Sequence, residues 1–108
     1  MAKFHMADEA AFQEVDPGVF RRVRTHTDNL MMVEIKFNKD AVGSEHAHPH
    51  EQQTYILEGR FRFSNDGETR EVGPGDTICF APNVKHGTVC LEAGRLIDVF
   101  SPARKDFL

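Results

Sequence analysis

From residue 19 to the C-terminus, short runs of alternating apolar and polar residues recur, each ended by glycine, proline, asparagine or aspartate. Alternation with period two sends successive side chains to opposite faces, and turn residues at such short intervals leave no room for long helices. The run 30–37, Leu-Met-Met-Val-Glu-Ile-Lys-Phe, puts Met31, Val33, Ile35 and Phe37 on one face and Met32, Glu34 and Lys36 on the other. Further runs are expected at 19–25, 60–63, 68–72, 77–80, 86–91 and 95–100, with a long extended stretch at 45–57. Asp16-Pro17-Gly18, Glu58-Gly59, Gly73-Pro74-Gly75-Asp76 and Ala93-Gly94 separate them, and Asn65-Asp66-Gly67 between alternating arms is a strong hairpin signal. Residues 8–15 are expected to form at most one short helical turn. Eight or nine short strands in 108 residues predict an all-β fold, closed as a barrel or packed as two sheets. A small barrel hides its edges and leaves an interior pocket for a ligand.

Composition narrows the function classes. A length of 108 residues fits one domain. Residues 1–24 read as an N-terminal segment able to serve as a dimer strand, and 25–108 as the barrel. Seventeen acidic residues against 13 Lys and Arg give a net charge of −4, which argues against a nucleic-acid or anionic-membrane partner. The one dense basic spot, Arg21-Arg22-Val23-Arg24, reads as a solvated strand face. Cys79 and Cys90 form no CxxC pair and read as small buried apolar residues in a reducing compartment. Asp8 and Glu9 interrupt the N-terminus before any secretory core, and the apolar runs fall far short of a membrane span, so a cytoplasmic location is expected.

Six histidines remain, and three of them, His46, His48 and His50, lie within five residues. On a strand, His46 and His48 point to the same side, with Gln52 in the same parity, and two such imidazoles form half of a divalent-metal site. His86 is a candidate third nitrogen from a distant strand. A solvent-exposed polar loop is the plain alternative. Gln53 replaces Gln52 if a bulge shifts the register by one. His50, behind Pro49, reads as a rim residue, and His5 and His26 carry no positional signal. Met31 and Met32 read as core and interface fillers.

The order of these residues resembles the cupin family. His46-Ala47-His48, three residues, Gln52, six residues and Gly59 match the spacing of the first cupin motif, with Gln52 in place of its usual Glu and Gly43 closer than its opening glycine. Gly75, Asn83 and His86 match the spacing of the second, with Ala81 in place of its Pro and Cys90 in place of its final Asn. The resemblance implies a single double-stranded β-helix (jelly-roll) barrel with a metal inside. It also implies a homodimer. The C-terminal stretch 98–108 and residues 67–76 are similar to the small single-cupin KdgF-type proteins of pectin and alginate breakdown.

That narrower resemblance implies conversion of 4,5-unsaturated monouronates to their linear ketone form. It implies one divalent metal held by His46, His48, Gln52 and His86, with Asp98, Phe100 and Arg104 as catalytic residues and an anionic sugar acid as substrate. Imidazole and amide donors suit Zn, Ni, Fe and Mn alike. Three neutral imidazoles and a neutral amide keep the metal's full charge, which favours an anionic ligand. Arg104 offers a planar fork for a carboxylate. Asp98 shares strand parity with Leu96 and Phe100. Position alone leaves other roles open: Asp98 facing water, Phe100 packed as core, Arg104 paired with Asp106. Competing functions are an Fe(II)-dependent dioxygenase, against which Gln52 weighs, and a non-catalytic metal- or sugar-acid-binding cupin.

Overall fold

The computed structural model describes residues 3–108; Met1 and Ala2, which open the expected 1–24 segment, lie outside the described residues. A 3-10 turn at Ala7–Glu9 precedes eight strands: β1 Gln13–Asp16, β2 Val19–His26, β3 Met31–Phe37, β4 Val42–His46, β5 Glu51–Asn65, β6 Glu68–Val72, β7 Thr77–Phe80 and β8 His86–Ser101. A second 3-10 turn, Lys105–Phe107, ends the chain. Among the described residues no helix is long and apolar enough to cross a membrane.

Every pairing is antiparallel, and the order is β1-β2-β3-β8-β5-β6, with β4 on β8 and β7 on β5. The two long strands, β5 and β8, pair with each other along most of their length and serve both walls of the barrel. The C-terminal half of β8 pairs with β3 and its N-terminal half with β4. Likewise the start of β5 pairs with β7 and its end with β6. The result is a double-stranded β-helix. Phe37 of β3 meets Phe61 of β5 edge-on at 5.2 Å, and Phe63 meets Phe80 of β7 at 5.9 Å. With Ile56 and Leu96 these rings fill one part of the interior.

Expectation and structure differ at the ends of several runs. The breaks expected at 58–59 and 93–94 are bends inside continuous strands. Gly59, at φ +81°, and Gly94 face each other there, and a Cβ on Gly94 would collide with the Glu58 backbone. Only glycine lets the two strands cross the corner so closely. The extended stretch expected at 45–57 is divided, because β4 stops at His46 and β5 begins at Glu51. Pro49 has no N–H for a ladder, and the His48 carbonyl instead accepts the Asn83 N–H at 2.8 Å. The hairpin at Asn65-Asp66-Gly67 is present, with both turn residues at positive φ.

Buried side chains also depart from simple alternation. Glu34, on the outer face of β3, is 5% exposed. Arg22 and Arg95 each bind it at 2.7 Å, and Arg22 also donates to the carbonyls of Ala7 and Ala10. Burial acts to raise the Glu34 carboxyl, but the hydrogen bonds from Arg22 and Arg95 outweigh it and hold it below its ordinary value. The basic run is therefore not a solvated face: Arg21, Arg22 and Arg24 are all half-buried. Cys90 is buried as expected, but Cys79 is exposed, because β7 turns it to the outer face. Met31 is buried and Met32 is partly exposed. β2 crosses the 24/25 boundary, pairs with β3 from Val19 to His26, and sends Val19 into the core.

Candidate metal centre and active site

Three strand ends bring the imidazoles together. His46 closes β4 directly opposite His86, which opens β8. His48 follows in the turn and folds back over them. The candidate ligand atoms of His46, His48 and His86 all lie within 4.8 Å of one another. His48 and His86 are buried, whereas His46 sits at the exposed mouth. His5 and His26 are not in this group. His50 is half-buried, its ring 5.5 Å from that of His48 and 6.5 Å from that of Phe100.

Backbone carbonyls set the ring tautomers. His46 Nδ1 donates to the Ser44 carbonyl at 2.8 Å, His48 Nδ1 to His50 at 3.1 Å and His86 Nδ1 to Val84 at 3.1 Å. A carbonyl only accepts, so Nδ1 carries the hydrogen and Nε2 keeps its lone pair. Burial lowers the His48 imidazole and pushes His86 down to about 4, so both stay neutral at neutral pH, the form that binds metals. His86 Nε2 is buried without a hydrogen-bond partner. A buried lone pair left in this way fits a cation.

Gln52 stands beside the three imidazoles as a candidate fourth donor. It faces inward from β5 and is 5% exposed, while Gln53 points to the opposite, exposed face. Its Nε2 donates to Thr54 Oγ1 and to Asp98 Oδ1, both at 3.1 Å, which turns Oε1 toward His48. Oε1 lies 2.9 Å from His48 Nε2. The contact is a hydrogen bond in the Nε2–H tautomer and, with Nδ1 protonated, leaves two lone pairs that a cation beside both would satisfy. Donors at right angles on a transition metal with bonds of about 2.1 Å stand roughly 3 Å apart. The three imidazoles and Gln52 therefore fit one divalent transition metal.

Asp98 lies directly across the ladder from Thr54 and accepts its hydroxyl at 2.6 Å. Burial pushes the carboxyl up to about 6, against the pull of Thr54, Gln52 and the Arg104 charge. Phe100, two residues on, is 2% exposed and packs edge-on against His48 at 5.7 Å. It is thus both core and cavity wall. Arg104 follows β8 and holds Asp106 with both arms of its fork, Nε to Oδ1 at 3.1 Å and Nη2 to Oδ2 at 2.9 Å. Its guanidinium stacks 4.2 Å from the centre of the Phe107 ring. Nη1 makes no hydrogen bond among the described residues.

His46, Gln52, His86, Asp98, Phe100, Arg104 and Phe107 line one cavity of about 390 Å³, with Ile35, Phe63 and Leu96 as its apolar wall. Six of the seven candidate residues line it and His48 packs against Phe100 of its wall, but three contributors were not singled out from sequence. Thr54 shares the parity of Gln52, a usable signal, since a threonine two residues from a ligand on one strand faces the same way. Phe107 lies in the terminal 3-10 turn and leaves no such trace. Arg21 shares the inward parity of Val19 and Val23 but sits in a charged run.

A buried metal-capable cluster inside a double-stranded β-helix defines a class of protein, and comparison agrees. A family model described as the cupin domain matches residues 32–100, and the chain belongs to the cupin family. Within it, the chain is 41% identical over 110 residues to the pectin degradation protein KdgF of Dickeya dadantii (strain 3937), covering all of both chains. It also superposes on the solved structure of KdgF from a Halomonas species with a TM-score of 0.95, at 39% identity over the full length of both. An RmlC-like cupin from Shewanella frigidimarina gives the same TM-score at 38% identity, over all of this chain and 97% of the other.

Proposed function

We propose that this chain is a metal-dependent enzyme of pectin or alginate breakdown that converts 4,5-unsaturated monouronates to linear ketonised uronates. The observation that carries the reading is the buried Asp98 carboxyl, hydrogen-bonded to the Gln52 amide whose oxygen meets His48 of the three-imidazole cluster. The full-length similarity to KdgF supports the substrate class.

His46, His48, Gln52 and His86 would hold one divalent metal, which when bound supplies Lewis-acid polarisation of substrate oxygens. Arg104 contributes a guanidinium for the substrate carboxylate and for charge that develops on the adjoining oxygen. Asp98 moves the proton. It accepts one from the anomeric hydroxyl as the ring opens and returns one to the former double bond, so the reaction is an isomerisation. A carboxyl whose pKa stands near 6 can both take and give a proton at neutral pH. Phe100 and the apolar wall exclude water from the sugar ring.

The test is loss of the unsaturated chromophore in the ultraviolet, with metal content measured alongside. The wild-type protein should consume the substrate, and Asp98→Asn should keep its metal and lose turnover. Metal-loaded wild type that leaves the chromophore intact refutes the reading, and oxygen uptake would point to an oxygenase instead. Loss of metal in Asp98→Asn would recast that residue as a ligand or structural group. The reading includes a cytoplasmic homodimer. Edge strand β1, with exposed Phe4 and Met6 nearby, supports residues 1–24 as the contact, and light scattering of a truncated chain tests it.

A further inference from the structure

One cation in the cavity forms no ion pair among the described residues. Arg22, Arg60, Arg70, Arg95 and Arg104 each hold a carboxylate, and Arg24 donates to the His5 carbonyl. Arg21 makes no ion pair or side-chain hydrogen bond among the described residues, although it lines the same cavity as Gln52, His86 and Asp98. Asp106, and more weakly Asp16, act on it through space, but neither is within ion-pair distance.

Its position follows from the register. Arg21 lies opposite Ile35 on β3, which lies opposite Leu96 on β8. The adjoining inward row on these strands runs Val23, Val33, Asp98 and Thr54. An arginine therefore occupies an inward position one row from the buried acid, where an apolar residue would ordinarily complete the core. Its Cζ stacks 3.7 Å from the centre of the Phe107 ring, the ring that also carries Arg104 at 4.2 Å. Measured to one ring, the two cationic carbons lie within about 8 Å of each other. Burial, and secondarily the Arg104 charge, lower the Arg21 guanidinium. Two cations held together on one aromatic ring, one of them with no carboxylate in ion-pair contact, call for an anion between them.

We infer that Arg21 is a substrate-binding residue that, with Arg104 across Phe107, grips the carboxylate of a sugar acid and selects it over neutral sugars. Arg104 already shares its fork with Asp106, so the unpaired Arg21 fork supplies the planar, two-point contact that a carboxylate accepts. The inference rests on the uronate reading, and a binding measurement separates the two.

The metal-loaded protein is titrated calorimetrically with a saturated monouronate, which has no double bond to ketonise, and with the corresponding neutral sugar. Two variants are compared: Arg21→Met, which keeps the stack on Phe107 and removes the charge, and Arg21→Lys, which keeps the charge and removes the fork. Wild type should bind the uronate in preference to the neutral sugar. Arg21→Met should bind the uronate about tenfold to a hundredfold more weakly, Arg21→Lys should fall between, and neither should change binding of the neutral sugar. On the unsaturated substrate, KM should rise by a similar factor with kcat within about threefold of wild type. Unchanged uronate affinity or KM in Arg21→Met overturns the inference, as does equal loss for acid and neutral sugar, or wild type that binds no uronate. Wild type that binds the uronate through Arg21 yet consumes no unsaturated substrate leaves the subsite standing and removes the proposed reaction.

Discussion

Asp98→Asn should change how stability depends on pH, because the buried acid and His86 titrate against each other. The Asp98 carboxyl moves from an ordinary 3.8 to about 6 on folding. The folded chain therefore binds more protons than the unfolded chain between about pH 4 and 6, and stability falls as pH rises through that window. At about 1.4 kcal/mol for each tenfold change in acidity, the ionised carboxylate costs about 3 kcal/mol by pH 7. His86 runs the other way, from 6.5 to about 4, so the unfolded chain binds more protons and stability rises with pH over the same range. Because its cavity opens to solvent, that gain is discounted to about 2 kcal/mol. These two contributions nearly cancel in the wild type. In Asp98→Asn only the histidine contribution is left, so the variant should gain about 3 kcal/mol on the wild type between pH 4 and 7. With no Trp and one Tyr, the protein is best followed by far-ultraviolet circular dichroism during urea unfolding of the metal-free form. A difference between the two proteins that stays constant across that range would refute the reasoning.

Three other substitutions probe the centre and its frame. His86→Ala removes the buried unpartnered nitrogen, and metal content measured by elemental analysis should fall from about one per chain to near zero. Gln52→Glu adds a carboxylate to the donor set and removes the N–H that Asp98 accepts. It should bind metal about tenfold more tightly in chelator competition yet turn over more slowly, as the second carboxylate raises the Asp98 carboxyl further. Gly94→Ala puts a Cβ into the Glu58 backbone, which cannot swing aside. It should cost roughly 3 kcal/mol in thermal unfolding, and near-wild-type stability would show that the corner is looser than the glycines indicate.

Legibility in the sequence varied with the range of the interaction. The hairpin at 65–67 could be read because Asp-Gly specifies its own backbone, whatever surrounds it. The corners at Gly59 and Gly94 were harder. A glycine that ends a strand and one that lets two strands cross look alike in a linear pattern. Glu34 sits at an outward position in strict alternation, and only the arginines that converge on it, with the N-terminal segment behind Arg22, bury it. The clustering of His46, His48 and His86 was legible through their spacing, although His46 and His48 do not share a strand. The turn at Pro49 folds the second ring back toward the first.

The sequence by itself determined the local terms: which side chains alternate, where the chain can reverse, and which residues offer nitrogen and amide donors near each other. It also contained every group the cavity uses. The tertiary structure decided which strands became neighbours, and with that the placement of His86 against His46, Thr54 against Asp98 and Arg21 beside Phe107. Period-two patterning tells which residues share a face but not which face closes over a cavity, since that depends on contacts between distant strands. The burial of Asp98 and His86 was decided at that level too. Desolvation belongs to the surroundings of a group rather than to the group, and only the closed barrel takes both away from water.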